Sequence, residues 1–497
     1  MTILHKRLLE AFNQFEDHVA IEHKSGPRIT YHQLNQKISG LIDQLKHTAH
    51  SDSLVIGILS TRCAESYIGV LAAFFIHVRF IPLNPSLPVS RLKKIINAGN
   101  INIVLFDSTH AQLAESLDIE SLRICANLDI VGPARLSSNV DFEKDESNIA
   151  YQMFTSGSTG TPKGVPISYG SLCHYVTEIK SELNFPENLR HSQLFDLSFD
   201  LAMHDIFMTF SNGGTLVPAS AMDLMLPHDY MQKNKIDIWF SVPMLSIVAI
   251  RGQANKDINH HLTLALFCGE ALPSDYAMKF QKFLSNEGKL FNLYGPTEAT
   301  IAFTTKLFEG HDTNFPTVPI GVGFGKNRIA IDTDKGIVHS LHEGLQGELL
   351  LSGPQVFEGY LPEVSAECFI DFEQATYYRS GDNVEVISNQ LLHKGRIDSQ
   401  IKFRGYRIEL GEIESTFRRV FSCSSTVAVL VGEGEKKEIA LAYEHHVEIA
   451  DFRALTDALP SYMLPSKYVR LNTVPTNING KIDRIAIKKL LTLNQSN

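Results

Sequence analysis

From its N-terminus to about residue 380 the chain alternates short β-branched, apolar runs with helix-periodic stretches. The runs include Leu54-Val-Ile-Gly-Ile-Leu, Ile101-Asn-Ile-Val-Leu-Phe, Ile236-Asp-Ile-Trp-Phe and Leu264-Ala-Leu-Phe-Cys. Strands separated by helices predict α/β layering with largely parallel sheets. Near Gly347 the texture changes to short strands and turns, as in Gly347-Glu-Leu-Leu-Leu-Ser-Gly-Pro and Gln390-Leu-Leu-His-Lys-Gly-Arg. After Asp398 the pattern predicts a strand, a helix over Leu410–Val420, strands over Thr426–Val431 and Lys437–Tyr443, and a further helix. A tail of about 100 residues is enough for a small α+β domain of its own. The chain has 497 residues, more than one hydrophobic core usually organises. Two domains are therefore expected, 1–396 and 397–497.

Composition narrows the function classes. Apolar residues make up 44% and charged residues 20%, as in ordinary globular proteins. A net charge of −10 argues against broad binding to nucleic acid or to anionic membranes. The cysteines Cys63, Cys125, Cys173, Cys268, Cys368 and Cys423 are scattered and form no CxxC pair, so neither a disulfide framework nor structural zinc is expected. The first residues run straight into an amphipathic helical pattern without a signal-peptide core. The most apolar stretch, Tyr67–Ile76, soon meets His77 and Arg79 and is too short to span a bilayer. A cytoplasmic protein without membrane insertion is the expectation.

The densest local signal is Phe154-Thr-Ser-Gly-Ser-Thr-Gly-Thr-Pro-Lys163-Gly164. Thr155, Ser156, Ser158 and Thr159 supply hydroxyls, and Gly157, Gly160 and Gly164 allow backbone N–H groups to approach a polyphosphate. Lys163 adds a point charge. A generic Gly/Ser/Thr stretch is a surface turn, but this one lies between β-like segments and carries a lysine. A Walker loop requires Gly-Lys-Ser/Thr, whereas this chain has Pro162-Lys163-Gly164, so another fold must hold the nucleotide.

The segment Thr155-Ser-Gly-Ser-Thr-Gly-Thr-Pro-Lys-Gly resembles the phosphate loop of the adenylate-forming superfamily, which includes acyl-CoA synthetases, luciferases and nonribosomal peptide adenylation domains. Further motifs repeat the resemblance in order along essentially the whole chain. They are Leu293-Tyr-Gly-Pro-Thr-Glu298, Gly347-Glu-Leu-Leu-Leu-Ser-Gly-Pro, Tyr378-Arg-Ser-Gly-Asp382, the run from Gly395-Arg396-Ile-Asp398 to Glu409, Leu459-Pro-Ser-Tyr-Met-Leu-Pro465 and Asn479-Gly-Lys481-Ile-Asp-Arg484. The resemblance implies ATP and Mg²⁺ as cofactors. It gives Lys481 the role of the cation at the reacting carboxylate and α-phosphate, and Glu298 that of the Mg²⁺ ligand. Thr159 joins them as a catalytic residue of the phosphate loop. Tyr294 is implied to stack on adenine, with Asn292, Gly295 and Thr297 around the nucleotide. Asp382 and Arg396 are implied to contact ribose. Asp398 matches the hinge about which the family's C-terminal domain rotates between half-reactions.

For the acyl substrate, Phe195-Asp-Leu-Ser-Phe199-Asp200-Leu201-Ala-Met-His204 offers two Phe-Asp registers. Counting back from Gly213-Gly-Thr-Leu216, which resembles the family's glycine anchor, selects Phe199-Asp200. Asp200 then stands where amino-acid-activating members place an aspartate against the substrate's α-ammonium. A buried, unpaired carboxylate is costly, so its presence implies a cationic substrate group. The same register gives a pocket of Leu201, His204, Phe240, Leu266, Cys268, Leu293, Ile301 and Ala302, suited to a small side chain. Phe267-Cys268-Gly269-Glu270 and Tyr294-Gly-Pro-Thr-Glu-Ala-Thr look like D-alanine–carrier protein ligases in particular, although His204 stands where that subgroup is expected to carry methionine. His204 reads either as a polar contact or as a packed wall residue.

No Gly-Gly-x-Ser carrier site occurs, and His445-His446 lack the acidic pattern of a condensation domain. The expected acceptor is therefore the phosphopantetheine thiol of a separate carrier protein. The expected reaction is activation of a small amino acid, D-alanine or another, followed by transfer to that thiol. An acyl- or aryl-acid ligase of the same superfamily is the alternative, against which Asp200 argues. A catalytically silent homologue is a third.

Overall fold

The computed structural model describes residues 2–23, 28–48, 54–119, 121–123, 146–155, 162–252, 261–362, 366–423, 425–432, 434–444, 451–475 and 482–493. The expected α/β fold is observed. A nine-stranded sheet runs in the order 322–323, 304–307, 284–294, 262–267, 238–241, 190–193, 215–218, 19–22, 28–30. Its centre is parallel and both edges turn antiparallel. A six-stranded sheet, ordered 121–123, 103–106, 55–59, 79–83, 149–155, 163–168, is parallel across its first five strands. Fully buried strands such as Val55–Leu59 and Ile238–Ser241 explain why the apolar runs show no alternation.

Two strands begin later than their apolar runs, for one physical reason. Asn102 Oδ1 accepts from the Val55 N–H at 2.8 Å, and Asp237 Oδ2 accepts from the Arg190 N–H at 2.8 Å. Each side chain caps a neighbouring strand, so regular pairing starts at Ile103 and Ile238.

The change of texture at Gly347 corresponds to an antiparallel sheet ordered 336–338, 328–333, 346–352, 375–387, 369–372, with Gln390–Arg396 also paired to Ala375–Ile387. Ser388 and Asn389 both have positive φ, 51° and 60°, and join these last two strands in a two-residue hairpin.

Contacts divide the chain into two compact units. One comprises 1–85, 99–153 and 164–397; the other comprises 86–98, 154–163 and 398–497. The short segments that group with the C-terminal part carry no sequence signal of doing so. In the second unit, the hairpin of Gln400–Phe403 and Tyr406–Glu409 leads into helix Leu410–Phe421 and a sheet of Ser425–Val431, Glu438–Glu444 and Lys467–Leu471. Helix Arg484–Leu493 packs on that sheet through Ile487 and Leu491. Among the described residues no helix is long and apolar enough to cross a membrane.

The start of that last helix is tied down by a forked ion pair. Arg484 reaches Glu414 Oε1 at 2.6 Å and Oε2 at 3.0 Å, and the Ala428 carbonyl at 2.9 Å. Glu414 also accepts from the Ala428 N–H at 2.9 Å. Planar two-point pairing of this kind is the strong form of a salt bridge. Removing the cation leaves a buried carboxylate, so Arg484→Ala should destabilise the second unit by about 2 kcal/mol. Native-state hydrogen exchange should accelerate in Leu410–Phe421 and Arg484–Leu493 while the parallel sheets remain protected.

Candidate active site

The centre of the larger unit is a turn at the end of strand Leu284–Tyr294. The chain reverses through Gly295-Pro-Thr-Glu and returns along Thr304–Leu307, with Phe303 N–H donating to the Tyr294 carbonyl at 2.7 Å. Only glycine fits at 295: a Cβ there would lie 2.7 Å from Ala302 Cα and 2.8 Å from Phe303 N. Thr300 and Ile301 both adopt positive φ, 57° and 70°, a conformation unfavourable for β-branched residues.

Gln355 holds this strained turn in place. Its amide NH₂ donates to the carbonyls of Ala299, Thr300 and Ala302 at 3.2, 3.3 and 2.7 Å, and its own backbone carbonyl accepts from Thr300 Oγ1 at 2.6 Å. Asn327 Nδ2 in turn donates to Gln355 Oε1 at 2.8 Å. Sequence reasoning missed Gln355. The available signal was its place directly after the Gly353-Pro354 of a quoted motif.

Glu298 on this turn is wholly buried; its Oε1 accepts from Tyr360 OH at 2.6 Å, and its backbone carbonyl accepts from Phe357 N–H at 2.8 Å. Tyr360 is a second residue that sequence reasoning missed.

Asp200 stands at the N-cap of helix Leu201–Ser211, and its Oδ2 is buried without a hydrogen-bond partner among the described residues. Burial is the main cause that pushes its carboxyl up to about 6. A hydrogen bond from Thr297 and others from the Leu201 and Ile301 backbone oppose the rise, while the Glu298 charge adds to it.

The expected pocket residues Leu201, Phe240, Leu266, Cys268, Leu293, Ile301 and Ala302 are all buried, and Phe199 packs against the same core. His204 follows Asp200 by one helical turn on the same face. Its ring lies 4.6 Å from that of Phe240, and its Nδ1 is 2.7 Å from Tyr175 OH. Burial holds the ring's pKa well below the usual histidine range, so it is neutral. His204 is thus a neutral ring packed against Phe240 whose Nε2 is buried without a hydrogen-bond partner among the described residues, and Tyr175 is the partner of Nδ1 that the sequence did not reveal.

The antiparallel hairpin supplies a second cluster. Asp382 is fully buried, with Oδ2 accepting from Tyr294 OH at 2.6 Å. Its Oδ1 lies 3.0 Å from His393 Nε2 and 3.2 Å from Arg396 NH1. Burial, reinforced by the Asp382 charge, pushes the Tyr294 hydroxyl well above its ordinary value, so it remains a donor. Asn292 donates its NH₂ to the Val318 and Pro319 carbonyls at 3.1 and 2.9 Å. Those two acceptors fix the amide orientation and leave Oδ1 buried without a partner among the described residues.

Thr155 ends strand Ile149–Thr155 and Lys163 opens strand Lys163–Ser168. Ser156, Gly157, Ser158, Thr159, Gly160 and Lys481 lie outside the described residues. Asp398 lies at the start of the second unit's long C-terminal segment. Among the described residues, one group of three potential metal ligands occurs, Glu309, His311 and Asp312. Lys306 Nζ already stands 3.2 Å from Glu309 and 3.3 Å from Asp312, so an ammonium occupies that cluster.

Comparison with known proteins agrees with the motifs. The AMP-binding enzyme family matches residues 8–361. A D-alanine--D-alanyl carrier protein ligase from Listeria innocua is 29% identical over 493 residues, 93% of this chain and 94% of that protein. A linear gramicidin synthase from Brevibacillus parabrevis is 31% identical over 98% of this chain, which corresponds to 10% of that much longer protein. The Vibrio cholerae adenylation domain AlmE, solved in complex with glycyl-adenosine-5'-phosphate, superimposes with a TM-score of 0.88 at 27% identity, covering 99% of this chain and 98% of its own. A match across most of the chain, with the motifs in order and the buried Asp200, Glu298 and Asp382 in one unit, places the protein in the AMP-binding enzyme family, the adenylate-forming superfamily.

Proposed function

We propose that the protein activates a small amino acid with ATP as an aminoacyl-AMP and transfers it to the phosphopantetheine thiol of a separate carrier protein. The observation that carries this reading is Asp200: a buried carboxylate with one oxygen unpartnered and its pKa pushed up to about 6. The hydrogen bonds from Thr297 and from the Leu201 and Ile301 backbone offset its burial only in part, and an α-ammonium would complete it. An acyl or aryl acid brings no cation, which disfavours the alternative ligase. The matched relatives named as D-alanine ligases, and the neighbour holding glycyl-adenylate, favour a small substrate. His204, packed against Phe240 and pinned by Tyr175, supports the same limit on size.

In the first half-reaction a substrate carboxylate oxygen attacks the α-phosphorus and pyrophosphate leaves. In the second the carrier's thiol, losing its proton, attacks the carbonyl carbon and AMP leaves. Catalysis of both is chiefly positioning and charge neutralisation. Asp200 orients the amino acid through its ammonium. Asn292 Oδ1, an orphaned acceptor, suits the adenine amino group, and Asp382 with Arg396 suits the ribose. Glu298 suits Mg²⁺, which takes one or two carboxylates together with phosphate oxygens and neutralises phosphate charge when bound. Lys481 is assigned to the reacting carboxylate and α-phosphate, Thr155, Lys163 and the loop between them, Thr159 included, to the polyphosphate, and Asp398 to the hinge of a mobile C-terminal domain, residues 397–497. Among the described residues Cys63, Cys173 and Cys423 form no disulfide, which fits action in the cytoplasm.

Asp200→Asn tests the central assignment. It should lower kcat/KM for the amino acid more than about 100-fold, because it breaks a buried ion pair. In the wild type, kcat/KM for the amino acid should fall about tenfold per pH unit below about 6, as Asp200 gains its proton. The folded state binds that proton more tightly than the unfolded chain, so ionised Asp200 costs stability as pH rises through about 6. Without substrate, Asp200→Asn should therefore melt at or above the wild type at pH 8, with the gap closing toward pH 4. A variant that melts lower at pH 8 and keeps wild-type kinetics would contradict the assignment. Lys481→Ala should reduce amino-acid-dependent ATP–pyrophosphate exchange about 10²- to 10³-fold.

A further inference from the structure

We infer that His393 is a positioning residue for the nucleotide: it orients the Asp382 carboxylate and thereby sets how strictly the enzyme demands a full ribose. This rests on the proposed role of Asp382 as the ribose acceptor.

The placement follows from the hairpin. The turn at Ser388-Asn389 pairs Ile387 with Gln390, Val386 with Leu391, Glu385 with Leu392 and Val384 with His393. Residues two apart on a strand share a face, so His393 lies diagonally across from Asp382, within reach of a long side chain. A register shift between Asn383 and Val384 then brings Arg396, not Gly395, opposite Asp382. The bulge allows the His393 and Arg396 side chains both to address one carboxylate.

Both ring nitrogens have defined partners. The Gly395 N–H donates to His393 Nδ1 at 3.3 Å, so Nδ1 carries the lone pair. In the neutral ring the proton is then on Nε2, which donates to Asp382 Oδ1 at 3.0 Å. The tautomer is fixed by the backbone of the bulge itself. The His393 ring also lies 6.1 Å from that of Tyr294, whose hydroxyl holds the other carboxylate oxygen. Asp382 is therefore gripped from two sides, and its plane is set before any ribose arrives. His393 makes no claim on the reacting atoms; it acts through Asp382.

Three variants of the full chain test this by titration calorimetry with ATP, 2'-deoxy-ATP and 3'-deoxy-ATP in the presence of Mg²⁺, so no knowledge of the amino acid is needed. His393→Phe keeps a flat ring and removes the donor. It should weaken ATP binding about tenfold, the size expected for one hydrogen bond to a charged group, and shrink the preference for ATP over the deoxy analogues by a similar factor. His393→Gln, whose amide nitrogen can reach the same oxygen, should restore most of both. Asp382→Asn should lose affinity and preference together. A merely structural role for His393 would move melting temperature without moving the ratio of ATP to deoxy-ATP affinity. Wild-type affinity and ratio in His393→Phe, with both lost in Asp382→Asn, overturns the inference and spares the ribose assignment. A wild-type ratio in Asp382→Asn overturns the assignment and the inference together.

Discussion

The hydrogen bonds of Gln355 hold the arrangement from which the site is built. Two consecutive β-branched residues, Thr300 and Ile301, sit in left-handed conformations that cost energy unless neighbours over-determine them. Gln355 does so through Ala299, Thr300 and Ala302 at once. The same turn carries Glu298 and places the Ile301 backbone against the Asp200 carboxylate. Glu298, Ile301 and Asp200 thus share one support, and Gly295 lets the returning strand close over it.

The chemistry follows from where polar groups lack partners. Asp200 Oδ2 and Asn292 Oδ1 are two of the buried atoms that have no hydrogen-bond partner among the described residues. Unpaired buried polar atoms are rare in native proteins and call for a reason. One acceptor suits an ammonium and the other an exocyclic amine, which together fit an amino acid and adenine. Asp382, by contrast, is already engaged by Tyr294, His393 and Arg396, which makes it a rigid acceptor. His204 is neutral and packs beside Phe240, with Nδ1 held by Tyr175.

Much of this was legible in the sequence where function is written in contiguous residues. The order of motifs that identifies the family needs no tertiary information. Asp200 was chosen over Asp196 by counting back from Gly213-Gly214, which resembles the family's glycine anchor, and helix Leu201–Ser211 fills most of that interval. The parallel sheets were legible from their apolar runs, with start points displaced by Asn102 and Asp237 side-chain caps. What sequence reasoning missed depends on pairs brought together by folding. Tyr360 meets Glu298, Tyr175 meets His204, and Gln355 meets a turn more than fifty residues earlier in the chain. His393 was the nearest miss. Counting back from Ser388-Asn389 places it beside Asp382, but the bulge that completes the cluster leaves no mark in composition.

ATP–pyrophosphate exchange against a panel of L- and D-amino acids and simple carboxylic acids tests the central claim most directly. The account predicts exchange with a small amino acid, glycine or alanine foremost, and none with fatty or aryl acids. Exchange supported only by acids that lack an α-ammonium would contradict it, since Asp200 would then be buried without the cation assigned to it.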